Sequence, residues 1–354
     1  MTNLKQGDKI YLFYHLPIDA TVFTKLPITL APGIQLIVTP SLENAAGSHN
    51  QQENIALAGY VYPGYGLPGF GVCKFAIKVD AHPKVSDKEM NHLLWTTLLG
   101  FILIKPLFIH IMGTYIYGEN GFKKGRCGRF DLRSNLCLEI LKNNQNTKYT
   151  EDDIIQISNI IPKINNILSC PNKYPRQYYN LNTFMALAIT EKLCQEGTIF
   201  SRLFTVLDSF TGNTGHKHNT RVATRIAKFI IDKASNQPIA ENVLQKYLQD
   251  QWEIHRTPDI HGHLKATIPD QAQPEIMSIN NHFTQDLFNI FEITRFALLK
   301  MLLLPDNDFN SYSKIPLQKF AQQDQDQSLR DQAAETFFAT TYPNEPSMKW
   351  FVTI

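Results

Sequence analysis

The stretch Leu93–Tyr117 reads LLWTTLLGFILIKPLFIHIMGTYIY, and it decides between a membrane-spanning and a globular fold. Its length is about that needed to cross a bilayer. Lys105, Pro106 and His110 interrupt it near the middle, where a charge and a helix breaker are both costly in lipid. We therefore predict a buried helix over about Asp87–Ile104, a break at the Lys-Pro pair and then a strand. The sequence predicts no membrane span.

The composition of the chain is that of a globular protein with room for two or three domains. Its 354 residues are 43% hydrophobic, which is too apolar for a disordered chain. Five cysteines without a C-x-x-C pair disfavour a disulfide scaffold or a zinc ribbon, and the start of the chain lacks a signal-peptide pattern. We expect a cytoplasmic protein. A net charge of +2 excludes nucleic-acid binding through a bulk basic field, but not through local basic regions.

The hydrophobic periodicity changes along the chain and predicts an α+β protein in four parts. Residues 1–90 alternate β-like runs with turn residues and form a β-rich N-terminal domain. Residues 91–149 hold the apolar helix, the strand and a basic connector. Residues 150–305 have helical spacing and form an all-α bundle, in which Pro162 implies a kink or a division of the first helix. Residues 306–354 form a polar, acidic tail with a short helix.

Five further helices are predicted within the bundle from the spacing of their apolar residues. They are Leu181–Cys194, Thr198–Phe210, Asn219–Ala234, Ile239–Trp252 and Thr284–Leu304. The last of them carries a strong apolar stripe and ends before Pro305.

Histidines concentrate in one part of the chain, with five of the eleven between residues 216 and 263. The densest stretch, residues 252–264, reads WEIHRTPDIHGHL. Two mechanisms can use it. In one, Arg256 neutralises phosphoryl oxygens while His261 moves protons near neutral pH. In the other, Asp259, His261 and His263 supply oxygen and nitrogen ligands to a metal.

Arg256, four intervening residues, His261 and a following glycine resemble the HEPN signature, and most closely that of the ApeA-like branch. The upstream runs at 200–210 and 220–230 resemble two helices of the same branch, with Asp208 at an acidic position. The resemblance covers roughly residues 180–304.

The resemblance implies an HEPN-type helical bundle that cleaves RNA without a metal or other cofactor, in bacterial defence or a toxin system. It makes Arg256 and His261 catalytic, with supporting roles for Thr257, Asp259, Asp208 and His263. It also implies a homodimer that shares the site, since five residues of an ideal helix place the arginine and the histidine about 140° apart. The alternatives are a catalytically silent HEPN module that binds RNA, nucleotide or protein, and a metal-dependent hydrolase using Asp259, His261 and His263. A further alternative is that Arg256 and His261 only brace the ends of helices.

The dipeptide Thr257-Pro258 departs from the family pattern, because proline is unfavourable inside a helix. Threonine as N-cap and proline at the first helical position form a good helix start. We expect the helix to break near Arg256 and to restart at Pro258, which puts His261 near a helix N-terminus that lowers its pKa. A continuous helix from Tyr247 through His261 would contradict this hypothesis.

A second candidate site is the stretch 121–133, GFKKGRCGRFDLR, with five basic residues and one acidic residue. Basic side chains that bind phosphates, interleaved with aromatic rings that stack on bases, are typical of RNA-binding surfaces. The predicted RNA-binding residues are Lys123, Lys124, Arg126 and Arg129. The alternative is a basic turn between the sheet and the bundle.

Overall fold

The fold is α+β, as predicted, in a computed structural model of the chain. The described residues fall into two compact units that divide after Asn166. The structure describes residues 4–38, 75–81, 86–107, 109–119, 121–124, 130–131, 148–187, 196–210, 218–230, 238–252 and 289–303.

The first unit is built on an antiparallel sheet of seven strands. The strands are β1 (Lys9–His15), β2 (Ile28–Ala31), β3 (Ile34–Val38), β4 (Phe75–Val79), β5 (His110–Gly118), β6 (Gly121–Lys124) and β7 (Phe130–Asp131). Their order is β2-β3-β4-β1-β5-β6, and β7 also pairs with β5. The first strand of the chain therefore lies inside the sheet, between β4 and β5.

Both faces of the central strands are buried, so these strands read as continuous apolar runs rather than alternating ones. Every residue of β4 is buried. One face carries the cluster Ile10, Leu12, Ile37, Ala76 and Tyr115. On the other face, the Tyr11 hydroxyl donates a hydrogen bond of 3.0 Å to Asn91 of the first long helix. The sheet is an inner layer of its unit.

That helix, α1, spans Asp87–Ile104, as the sequence predicts. A capping box between Ser86 and Glu89 begins it. It ends at Lys105, whose backbone is extended (φ −142°, ψ 126°) because Pro106 follows. The predicted strand, β5, comes next. In the described part of the chain, no helix has both the length and the hydrophobicity needed to cross a membrane.

The end of α1 is fixed by a buried polar cluster that joins it to α2 (Glu151–Ser169). The Lys105 ammonium group lies 2.6 Å from a carboxylate oxygen of Asp153. The fully buried Tyr149 donates from its hydroxyl group to the carbonyl oxygens of Lys105 (2.7 Å) and Phe101 (3.2 Å). The Tyr149 hydroxyl group is thus a second donor to both carbonyl oxygens, which also accept the backbone N–H groups of Leu107 and Lys105, respectively.

Helix α2 packs closely on α1. The first unit extends to Asn166, whereas the sequence predicts a division near residue 150. A Cβ atom added to Gly100 would lie 2.9 Å from Cγ1 of Ile161, so the two helices approach at a glycine. Pro162 lies inside one continuous helix, so of the two predicted outcomes the division is wrong, and the kink stays a prediction. The helix and strands of residues 91–149 belong to the same unit as the N-terminal strands, whereas the sequence predicts a separate connector.

The second unit is helical. Its helices are α3 (Pro175–Met185), α4 (Glu196–Ser209), α5 (His218–Ile230), α6 (Pro238–Gln251) and the helical residues 289–303, here α7. Only α3 begins far from its predicted start at Leu181, because Pro175 occupies its first turn, where a missing N–H group costs nothing. The predicted acidic tail lies outside the described residues.

Replacing Tyr149 with phenylalanine tests the cluster that joins α1 to α2. The ring, which packs edge-on against Phe101 at 5.1 Å, stays in place, while both hydrogen bonds to the end of α1 are lost. We expect the free energy of unfolding to fall by about 0.5–1.5 kcal/mol, because the hydrogen bonds of a buried hydroxyl group are lost while both carbonyl groups keep a backbone N–H donor. Urea unfolding measures this. Tyr179→Phe is the matched control, since Tyr179 is 47% exposed, and an equal loss in both variants would contradict the role of the cluster.

His92 on α1 predicts how stability changes with pH. Burial lowers the pKa of His92 from its ordinary value of 6.5. His92 therefore binds a proton more readily in the unfolded chain than in the folded chain, so the free energy of unfolding falls as the pH drops below about 6.5. We expect His92→Gln to lose less stability than the wild type between about pH 7.5 and pH 5.5. Identical pH dependence of urea unfolding in the two proteins would refute this.

Candidate functional site

Helix α7 lies at the centre of the helical unit, in contact with three other helices. The Phe291 ring stacks on Phe184 of α3, with ring centroids 5.2 Å apart. The Asn289 amide donates to the Tyr247 hydroxyl group of α6 at 3.1 Å. The Lys300 ammonium group donates to the Ile230 carbonyl oxygen of α5 at 3.2 Å. The bundle is therefore arranged around a helix that carries polar as well as apolar groups inward.

Among the described charged residues of this unit, the most deeply buried are on α7. Arg295 is completely buried and Glu292 is 1% exposed. The Nε and Nη2 groups of the arginine donate to the two carboxylate oxygens at 2.9 and 2.6 Å. This bidentate geometry offsets the cost of removing both charges from water. The two charges therefore neutralise each other within α7.

Helix α6 is also buried along its second half, although it is rich in glutamine. Gln249 and Gln251 are each 4% exposed, and neither the Gln249 amide nitrogen nor the Gln251 amide oxygen bonds to any described group. On α3, Asn180 is fully buried, and both of its amide atoms are likewise unsatisfied within the described residues. Buried amides of this kind are where proteins hold internal water or the polar groups of a ligand.

Asp208, one of the predicted supporting residues, lies on α4, the helix whose Phe204 packs on Trp252 after the end of α6. Phe204 of α4 packs against Trp252 at 4.8 Å between ring centroids, with the rings tilted by 63°. Asp208 follows Phe204 by one helical turn and so lies on the same side of α4. Trp252 directly follows α6 and precedes Arg256 by four residues. The half-buried carboxylate is therefore on the helix that packs where the chain enters the predicted catalytic motif.

The other predicted residues of that motif lie outside the described residues: Arg256, Thr257, Asp259, His261 and His263. The helix leading to them is described as far as Trp252, so the proposed break near Arg256 stays a prediction, as does the metal alternative. Within the described ranges, no three histidine, cysteine, aspartate or glutamate side chains are grouped as a metal would need.

The structure describes only part of the predicted basic surface. Lys123 and Lys124 lie on β6, where their backbones pair with Ile116 and Tyr115 of β5. Arg126 and Arg129 lie outside the described residues. The start of this stretch is a strand of the sheet, which sequence reasoning did not predict.

Sequence reasoning also did not single out Glu292 and Arg295. A signal exists in the run NIFEITRFALL from residue 289, where an acid and a base three residues apart interrupt a strong apolar stripe. Charges at that spacing usually lie on an exposed face, and only packing on several sides buries them.

Comparisons with known protein families, with curated proteins and with solved structures find no match to this chain.

Breaking the pair on α7 tests whether the centre of the bundle depends on it. Arg295→Met leaves the Glu292 carboxylate buried without its bidentate partner, and we expect a loss of about 3–5 kcal/mol in the free energy of unfolding. The double variant Glu292→Leu/Arg295→Met removes both charges and should recover most of that loss. Urea unfolding followed by circular dichroism measures both effects.

The matched control is Lys246→Met on α6, which removes a partly exposed ion pair with Asp250 at 3.3 Å. Such a pair contributes about 0.5 kcal/mol or less. If Arg295→Met lowered the free energy of unfolding as little as this control, the stability of the bundle would not depend on the buried pair.

Proposed function

We propose that this protein is a metal-independent endoribonuclease of the HEPN type, with Arg256 and His261 as its catalytic residues. The observation that supports the proposal best is the packing of Phe204 on Trp252. It brings the helix of Asp208 against the end of α6, where the chain continues into the motif. In the proposal, this half-buried acid acts together with Arg256 and His261, which the chain reaches after Trp252.

The proposed reaction is an internal transfer of the phosphodiester. His261 takes the proton of a ribose 2′-hydroxyl group, and the 2′-oxygen forms a bond to phosphorus as the bond to the 5′-oxygen breaks. The leaving oxygen receives a proton, and the products carry a 2′,3′-cyclic phosphate and a 5′-hydroxyl group. Arg256 remains charged at all relevant pH values and stabilises the negative charge that builds on the phosphoryl oxygens. Asp208 and Asp259 orient these groups.

A homodimer is part of the proposal. Five residues of an ideal helix separate Arg256 from His261 by about 140°, so one copy of the motif makes a poor site. Two copies facing each other across a two-fold axis bring four catalytic side chains to one cleft. Thr257 and His263 support the site from the same segment.

RNA recognition is proposed to use the basic residues of the sheet unit as well. Lys123, Lys124, Arg126 and Arg129 bind backbone phosphates, and the neighbouring Phe122 and Phe130 stack on bases. The biological setting proposed for this activity is the bacterial cytoplasm, in defence or as a toxin.

Cleavage assays test the catalytic proposal directly. The purified protein should cut single-stranded RNA in excess EDTA and leave 2′,3′-cyclic phosphate ends. His261→Ala should lower the cleavage rate by at least about 100-fold, because it removes the general base. The matched control is His255→Ala, in the same segment but outside the proposed site, which should retain activity. Unchanged circular dichroism in both variants confirms that they fold.

Two results would redirect the proposal. Cleavage that EDTA abolishes would favour the metal site of Asp259, His261 and His263. RNA binding without cleavage by the wild type would favour a silent HEPN module.

A further inference from the structure

Helix α3 has a buried side and an exposed side. The buried side consists of four residues at helical spacing, Gln177, Asn180, Leu181 and Phe184. The Phe184 ring stacks on Phe291 of α7, and α3 also packs against α4. The buried side therefore anchors α3 in the helical unit, while the exposed positions lie on the other side of the helix.

The exposed side carries an aromatic ring between two polar groups. Tyr179 is 47% exposed. Arg176, three residues before it, is half-buried, and Asn182, three residues after it, is exposed. At this spacing, successive side chains are offset by about 60° around the helix axis and about 4.5 Å along it. A guanidinium group, a phenol ring and an amide thus occupy neighbouring positions along about 9 Å of the helix.

A second cation lies at the start of the same helix. Lys173 is exposed, and its ammonium group lies 4.8 Å from the ring centroid of the buried Tyr174. A cation at this distance is attracted by an aromatic ring. The Cys170 carbonyl oxygen accepts the backbone N–H groups of Lys173 and Tyr174 at 3.0 and 3.1 Å, so the turn that carries the lysine is also held by hydrogen bonds.

The charge of this part of the chain has one sign. No acidic residue lies between Asp153 and Glu191, a range that contains Lys163, Lys173 and Arg176. Within the part of the chain that the structure describes, the Arg176 guanidinium group has neither a hydrogen bond nor an ion pair. The half-buried guanidinium group is therefore not neutralised by any described carboxylate.

We propose that the α3 surface (Lys173, Arg176, Tyr179 and Asn182) binds the single-stranded RNA substrate. The two cations bind phosphates, and the exposed tyrosine ring stacks on a base. The asparagine amide offers a donor and an acceptor to the edge of an unstacked base. An exposed ring beside the cations favours RNA over an acidic peptide, because a peptide of that kind requires only the charges. This inference rests on the proposed function, because it gives the substrate of that site a binding surface.

Binding is measured separately from cleavage, in a His261→Ala background, with a fluorescently labelled oligouridine of about 12 nucleotides. Lys173→Gln/Arg176→Gln should bind this RNA at least about tenfold more weakly at low salt. Its plot of log affinity against log salt concentration should be shallower by about 1.4, or about 0.7 per lost contact. The matched control is Lys163→Gln/Lys246→Gln, which removes two cations from α2 and α6 and should keep the wild-type slope.

Tyr179 gives a second, independent readout in the same assay. Tyr179→Ala removes the ring that stacks on a base and should weaken binding about fivefold or more. The slope against salt should not change, because no ionic contact is lost. Tyr179→Phe keeps the ring and should bind the RNA as the parent protein does. Equal melting temperatures show that the variants fold alike.

Three results would overturn the inference. Equal losses in the α3 cation variant and its control would reflect net charge alone. Undiminished affinity in Tyr179→Ala would show that the ring does not contact the RNA. A parent protein that binds an acidic peptide through α3, or that binds no RNA, would show that RNA is not the partner of this surface.

Failure of the catalytic proposal gives a different result. Loss of binding in the α3 variants, together with a wild type that cuts no RNA, would support the α3 surface and reject the nuclease. Cleavage by the wild type with unchanged binding in the α3 variants would support the nuclease and reject the surface.

Discussion

The first unit depends on the pairing of one buried ammonium group. Lys105 ends an apolar helix and is only 9% exposed, so its charge has to be balanced inside the protein. The Asp153 carboxylate at 2.6 Å and the Lys148 carbonyl at 3.3 Å provide that balance. Because a buried charge without its partner costs several kcal/mol, the end of α1 and the start of α2 have to stay together. The position of β5, which follows the turn at Pro106, is fixed as a consequence.

The helical unit meets the same constraint in a different way. Glu292 and Arg295 are three residues apart on α7, so the pair neutralises itself within one helix and needs no second element. It makes α7 acceptable at the centre of the bundle, where Phe184, Tyr247 and Ile230 of three other helices contact it. The pair of Lys105 and Asp153 fixes the relative position of two helices. The pair of Glu292 and Arg295 instead allows a helix with two charged side chains to lie inside the bundle.

Local signals made part of the fold predictable. The end of α1 follows from Lys105-Pro106, because proline acts on its immediate neighbours, and that boundary is confirmed. The link from Tyr149 to Phe101 spans 48 residues and leaves no periodic trace, so the extent of the first unit was not predictable. Asp208 was predicted from its segment alone, while the contact of its helix with Trp252 depends on packing between segments distant in sequence. Burial of the α7 pair likewise depends on neighbours that no window of sequence contains.

The net charge of +2 conceals an uneven distribution that matters for the proposed function. Residues 121–133 carry five basic groups and one acidic group, and α5 carries three cations and no acid, whereas residues 306–354 hold seven acidic and four basic residues. Affinity for RNA depends on how many phosphates are neutralised at the contact surface and not on the charge of the whole chain. A nearly neutral protein can therefore bind RNA with a marked salt dependence. In the proposed function, residues 121–133 supply phosphate contacts, and the slope of log affinity against log salt concentration measures how many phosphates are neutralised in total.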